Sequence, residues 1–268
     1  MNKESTIQLR SGNAMPVLGL GTWQLLDNTD ETVAYALDLG YRMIDTSSDY
    51  RTHPGINKAL KQTSINRNEI YVVTKVKETD NAYEATKDYI EELGLEYADL
   101  ILIHRPPTSG AGEDLWKDLI RARNEGYTRD IGVSNYSVDQ INQLIDETSE
   151  IPTVNQIEWS PFGYSSDMKL FCDKNNIVIQ AYSPLTRAKR LADPELSSIA
   201  RKYDKSAVQV LVRWNLQGGT VPLPKANLRG HQEDNIDVFD FELASEDMQR
   251  LDNLNEQYSS LGGLPYVE

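Results

Sequence analysis

Val17-Leu18-Gly19-Leu20-Gly21-Thr22-Trp23 is the stretch that decides between the two architectures open to this chain. A short apolar run reads as a strand, and the residues after it form the first strand-to-helix turn. A Gly-x-Gly at such a turn opens the dinucleotide fingerprint of a doubly wound open sheet. Here the third glycine is missing, and the bulky Trp23 stands where a backbone would have to approach a pyrophosphate. The turn argues against the open sheet and leaves a closed barrel.

Working outward, the same unit recurs: a short apolar run, then a stretch with one polar face. The runs are 17–20, 43–44, 71–73, 100–103, 131–133, 154–157, 178–179 and, weakly, 220–223. Between and after them, helical periodicity predicts helices at 30–39, 55–62, 82–93, 113–124, 138–147, 167–175, 194–202 and 207–217. Asn28, Ser137 and Asp193 stand where caps belong, and Gly40, Gly94 and Gly126 where helices should stop. Upstream, 6–9 and 15–18 flank Ser11-Gly12-Asn13, a turn signal. The expectation is a (β/α)8 TIM barrel, an N-terminal β-hairpin closing its floor, in one domain over 1–268. No linker or low-complexity run divides the chain, and 268 residues suit a barrel of roughly 250.

Composition narrows the function classes. A net charge of −14 and a pI near 4.7 repel phosphate backbones and anionic headgroups, so neither nucleic acid nor a membrane surface is an expected partner. No window approaches the roughly 18 apolar residues of a membrane span, and the opening residues lack the apolar core of a signal peptide. The lone Cys172 fits a reducing compartment, so a cytoplasmic location is expected. His53, His104 and His231 are at ligand spacing neither with one another nor with Cys172, so no metal is expected. No Gly-x-Ser-x-Gly elbow offers a serine nucleophile. A phosphate-bearing cofactor would need local cations or backbone N–H groups to offset the global field.

Titratable residues follow the apolar runs: Asp45 the second, Lys75 the third and His104 the fourth, with Tyr50 in the loop that Asp45 begins. In a parallel barrel these strand ends share one rim. Taken singly, Asp45 is a loop cap, His104 a core histidine and Tyr50 a loop aromatic. Lys75 is different, because alternation turns it inward and a buried ammonium demands a carboxylate, which Asp45 can supply. Together they predict a proton-donating device: Lys75 beside Tyr50 acidifies the phenol, Asp45 holds the lysine, and His104 donates a hydrogen bond to a substrate oxygen.

At this point the chain resembles the aldo-keto reductases. Gly40-Tyr41-Arg42-Met43-Ile44-Asp45-Thr46, Asp49-Tyr50, Thr74-Lys75 and Ile103-His104-Arg105-Pro106 are similar to that family's catalytic segments, in order. Gly132-Val133-Ser134-Asn135, Val154-Asn155-Gln156-Ile157-Glu158, Ala181-Tyr182-Ser183-Pro184-Leu185 and Val221-Pro222-Leu223-Pro224-Lys225 are similar to its cofactor segments. The resemblance implies that Ser134, Asn135 and Gln156 hold a nicotinamide carboxamide and that Tyr182 stacks on its ring. It gives Ser183 and Leu185 to the pyrophosphate and Lys225 to the adenosine half. Gly21, Thr22, Ala226, Asn227, Arg229, His231, Asp234 and Asn235 fall to the cofactor site by the same resemblance.

Some positions depart from the family. Ala226 and His231 replace a usual Ser and Arg, which weakens NADPH against NADH, although Arg229 stands near enough in sequence to compensate. NADPH is the expected cofactor and NADH the alternative. Arg105 replaces a common Trp, and Arg51-Thr52-His53-Pro54 replaces the usual loop after Tyr50, so His53 inherits no role. The loops after the fourth and seventh strands and the tail 258–268 are short, which implies a shallow pocket walled by Trp23, Arg105 and Trp159. The expected activity is NAD(P)H-dependent reduction of an aldehyde or reactive ketone, a small-molecule carbonyl substrate, by a monomer as in compact relatives. The rivals are a cofactor-holding regulatory barrel without turnover, and a hydrolase built on Glu158 and Asp45.

Overall fold

The first and last barrel strands, β3 (Leu20–Gly21) and β10 (Val221–Leu223), meet across the seam of a parallel sheet. Gly19 N donates to Pro222 O and Gly21 N to Pro224 O, each at 3.1 Å. A Cβ on Gly21 would stand 2.9 Å from Leu223 O, so only glycine permits this approach. Between them, in order around the barrel, run β4 (Met43–Asp45), β5 (Tyr71–Val76), β6 (Ala98–Ile103), β7 (Thr128–Ser134), β8 (Val154–Glu158) and β9 (Val178–Tyr182). The computed structural model describes residues 1–25, 27–264 and 266–267, so parts of the predicted short tail, 265 and 268, lie outside the described residues.

The hairpin of β1 (Thr6–Gln8) and β2 (Ala14–Pro16) lies beneath the barrel, where Leu9 and Met15 join the interior layer with Met43, Tyr71 and Val178. The expected (β/α)8 barrel with its hairpin is therefore present. Residues 17–19, read as part of the first strand, instead lead into it. Gly19 bonds the seam, and β3 proper is a two-residue strand.

The outer ring comprises α1 (Thr29–Leu39), α2 (His53–Gln62), α3 (Ala82–Leu93), α4 (Glu113–Asn124), α5 (Val138–Thr148), α6 (Ser166–Asn175), α7 (Pro194–Lys202) and α8 (Ala207–Gln217). Ser137 caps α5 in a reciprocal capping box with Gln140, and Asp193 caps α7 through the N–H groups of Glu195 and Leu196. Asn28 makes no side-chain cap, and α4 is capped by Glu125, one residue before Gly126. α9 (Arg229–Ile236) and α10 (Ser245–Asp252) complete the chain. Neither showed in the sequence periodicity, because each buries only two residues and so lacks an apolar stripe. Among the described residues no helix is long and apolar enough to cross a membrane.

Strand alternation sets the site. Side chains of one parity, such as Ile101, Val133 and Ala181, pack outward against the helices. Those of the other parity, such as Val73, Leu102 and Leu223, fill the interior. Continued to the carboxyl ends, the inward parity arrives at Asp45, Lys75, His104, Ser134, Gln156, Tyr182 and Lys225.

Candidate active site

The barrel's upper mouth opens into a cleft of about 850 Å³. Asp45, Tyr50, His104, Ser134, Asn135, Gln156, Tyr182, Ser183 and Leu185 line one part of it with Gly21 and the exposed Trp23 and Arg105. Lys225, Asn227, His231, Asp234 and Asn235 line its far arm. Most residues singled out from the sequence thus share one cavity.

Lys75 lies behind that wall, 1% exposed, and its ammonium donates to Asp45 Oδ1 at 2.8 Å, Asp45 Oδ2 at 2.9 Å and Thr46 O at 2.8 Å. Burial pulls the ammonium below its usual range, and the Asp45 carboxylate opposes that pull. Gln156 Nε2 adds a bond to Asp45 Oδ1 at 2.7 Å and another to Gln180 Oε1 at 2.9 Å. An ion pair this deep survives only because its remaining hydrogen bonds are filled.

Tyr50 ends a 3-10 turn, Ser48–Tyr50. The Lys75 nitrogen faces its ring 5.1 Å from the centroid. Burial first, then the Asp45 carboxylate, push the phenol well above its usual range, and Arg105 pulls it partly back. The expectation that Lys75 acidifies Tyr50 is therefore corrected. The ammonium is committed to Asp45, whose charge reaches the phenol with the opposite sign.

His104 packs edge-on to Tyr50 with ring centroids 5.8 Å apart. Its imidazole is pushed down to about 3 by burial, then by Lys75 and Arg105, so it is neutral near neutrality. Nδ1 lies 3.3 Å from both the Ser47 hydroxyl and Asp49 Oδ2. Asp49 in turn pairs with Lys77 at 3.1 Å.

On the facing side, Ser134 Oγ donates to Gln156 O at 2.7 Å, and Asn135 Nδ2 donates to His104 O at 3.0 Å. Asn135 Oδ1 accepts from the Tyr182 hydroxyl at 2.8 Å, which fixes that ring against the cleft. Asn135 and Ser183 both hold left-handed backbone, φ 67° and 48°, a cost tolerated where geometry matters. In the far arm, Asn235 is 1% exposed, yet neither its Oδ1 nor its Nδ2 has a hydrogen-bond partner.

Other assignments fall off the cleft. Thr22 is buried below it, donating to Asp45 O at 2.9 Å. Ala226 is buried, and Arg229 stacks on Tyr35 with its guanidinium carbon 4.5 Å from the ring centroid. Trp159 is 3% exposed and packs on Tyr164 and Tyr266, so it does not reach the pocket. Glu158, weighed as a hydrolase carboxylate, accepts from Ser259 Oγ at 2.6 Å and Ser260 N at 2.7 Å, and its carbonyl accepts from Tyr266. It anchors the C-terminal segment. His53 bridges Glu92 at 2.7 Å and Thr74 at 3.0 Å, tying α2 to α3 and β5. Among the described residues no cluster of His, Cys, Asp or Glu is arranged to hold a metal.

Sequence reasoning missed Gln24, Arg187, Leu261 and Gly263, all of which line the cleft. Gln24, Leu261 and Gly263 sit on irregular loops and Arg187 in a single 3-10 turn, Thr186–Ala188, where no periodicity marks them. The Arg187 guanidinium carbon lies 4.5 Å from the Trp23 ring centroid, so the two form one wall.

A parallel barrel with a polar, partly strained cleft at its carboxyl-end rim defines an α/β-barrel enzyme. The profile of the Aldo/keto reductase family matches residues 17–256. An aldo-keto reductase of Mycobacterium marinum is 40% identical over 257 residues, 94% of this chain and 92% of that protein. The crystal structure of an aldo/keto reductase from Brucella melitensis superposes with a TM-score of 0.89 at 36% identity, covering 94% of this chain and 99% of that one. A Bombyx mori aldo-keto reductase solved in complex with NADP gives a TM-score of 0.89 at 29% identity, over 98% and 99%. The chain belongs to the aldo/keto reductase family, a class of NAD(P)H-dependent oxidoreductases.

Proposed function

We propose that this chain reduces aldehydes and reactive ketones with NADPH, Tyr50 giving the proton. The observation that carries the reading is the pairing of Tyr50 and His104, rings 5.8 Å apart, on the floor of a cleft whose far arm ends at the unpartnered Asn235.

The residues present fit a dinucleotide. Both amide atoms of Asn235 are buried without a partner, a cost that a base with donors and acceptors would relieve. Lys225 supplies a local cation, His231 lines the same arm, and the first turn of α9 carries no acidic residue. The Bombyx mori relative solved with NADP supports the same cofactor. When bound, the cofactor supplies a hydride.

The chain's own residues do the rest. Tyr50, kept protonated by burial, holds a proton at its hydroxyl for the carbonyl oxygen. The neutral His104 fixes that oxygen through Nε2 in the tautomer where Ser47 donates to Nδ1; the Asp49 carboxylate, equally near Nδ1 and able only to accept, favours the other tautomer unless Lys77 holds it. Asp45 and Lys75 neutralise each other beneath, so no bare charge opposes a developing alkoxide. Tyr182, tethered by Asn135, offers one face for a nicotinamide.

Loss of dihydronicotinamide absorbance over a panel of aldehydes tests this. Turnover with NADPH is the expected result. Tight NADPH binding with no turnover on any aldehyde would favour the regulatory reading.

A further inference from the structure

The position after His104 carries a free cation. Arg105 is exposed and lines the cleft beside His104, and among the described residues its guanidinium finds no carboxylate at ion-pair distance. Asp49, a carboxylate that feels its charge, is already taken by Lys77 at 3.1 Å. In a chain of net charge −14, an unpaired arginine over a cavity floor is not accounted for by surface composition. Its charge reaches Tyr50, His104 and Tyr182, which places it over the reacting end of the cleft.

The cofactor does not explain it. The far arm, where Lys225, His231 and Asn235 stand, belongs to β10 and α9. Arg105 follows β6, four strands away from β10 in the eight-strand sheet and hence on the opposite side of the barrel. Arg187, which also lines the cleft, follows β9 and stacks on Trp23. Nor does a neutral substrate need Arg105. The other carboxylate at this end is Asp45, which Lys75 neutralises. Among the described residues, an anionic group entering beside His104 would therefore meet an unpaired fork of N–H donors, with Asp45 and Asp49 already paired with Lys75 and Lys77.

We propose that Arg105 selects carbonyl substrates that carry a carboxylate, short oxo acids whose carbonyl oxygen lies on Tyr50 and His104. This rests on the reading of the cleft as a reductase site. A planar guanidinium matches a carboxylate with two parallel hydrogen bonds, which a lysine or a neutral side chain does not reproduce. Arg105 and His104 line the same cleft, so one substrate can present its carbonyl to His104 and its carboxylate to Arg105.

The test compares kcat/KM for 4-oxobutanoate and 4-carboxybenzaldehyde with that for their methyl esters, in the native chain, Arg105→Gln and Arg105→Lys. The native chain should favour each acid over its ester by about tenfold or more, the preference shrinking in high salt. Arg105→Gln should bring the ratio to about one, and Arg105→Lys should keep part of it. Esters reduced as well as acids by the native chain, or a ratio unchanged in Arg105→Gln, would overturn the proposal. Calorimetric binding of benzoate against benzamide at saturating NADP separates this from the reductase reading. Benzoate preferred by the native chain and not by Arg105→Gln supports the anion site even where turnover fails. Equal binding of benzoate to both proteins rejects the site.

Discussion

The Lys75 ammonium faces the Tyr50 ring at 5.1 Å from its centroid, while its N–H donors go to the two Asp45 oxygens and Thr46 O. The lysine therefore serves the carboxylate and holds the ring by its face. The phenol is left to burial, which keeps it protonated. The role proposed for Tyr50, giving a proton, needs that state.

Replacing Tyr50 with Phe removes the proton and little else. Turnover should fall by about 10²–10⁴-fold, the range a general acid supplies. The Kd for NADPH, read by fluorescence titration, should stay within about threefold, since the hydroxyl is one small contact of many. A variant that keeps most of its kcat would exclude Tyr50 as the donor.

Lys75→Met strands the buried Asp45 carboxylate. Urea unfolding should show a loss of about 3–5 kcal/mol. Adding Asp45→Asn removes the stranded charge, and the double variant should regain at least half of that loss without regaining turnover. Equal stability of single and double variants would mean that the pair is not coupled.

Asn235→Ala takes away two buried polar atoms that have no partner in the protein. Stability without cofactor should hold or rise, while KM for NADPH should rise by about tenfold, the worth of one or two hydrogen bonds. A fall in stability with KM unchanged would make Asn235 a packing residue.

His104 gives a pH dependence with a definite sign. Its folded value, about 3, lies below the ordinary value of 6.5, so on acidification the unfolded chain takes up a proton that the folded chain refuses. The stability is present above pH 6.5 and lost below it. Between pH 7.5 and 5.5 this group should cost about 1.4 kcal/mol, with His53 acting in the same direction. In His104→Gln the difference between urea curves at the two pH values should shrink by that amount.

On the proposed reading, cofactor choice falls to Lys225 and His231, since Arg229 is stacked on Tyr35 outside the cleft lining. NADPH should give the higher kcat/KM, and Lys225→Met should erase most of the preference. A native chain that favours NADH several-fold would reverse the assignment.

What the sequence determined is what period and parity can carry. Alternating apolar runs marked the barrel, the incomplete Gly-x-Gly at 19–21 argued against an open sheet, and the inward parity of each strand end brought Asp45, Lys75 and His104 to one rim. These are local properties, readable from a few neighbouring residues. Tertiary structure alone decided where the hydrogen bonds go. Lys75 turned to Asp45 and Thr46, Gln156 spent its amide on Asp45, and Glu158 became the anchor of a segment a hundred residues downstream. It also buried Trp159, moved Arg229 off the cleft and brought Arg187 over Trp23. A side chain's partner depends on every element that reaches the same point in space, and no window along the chain contains them all.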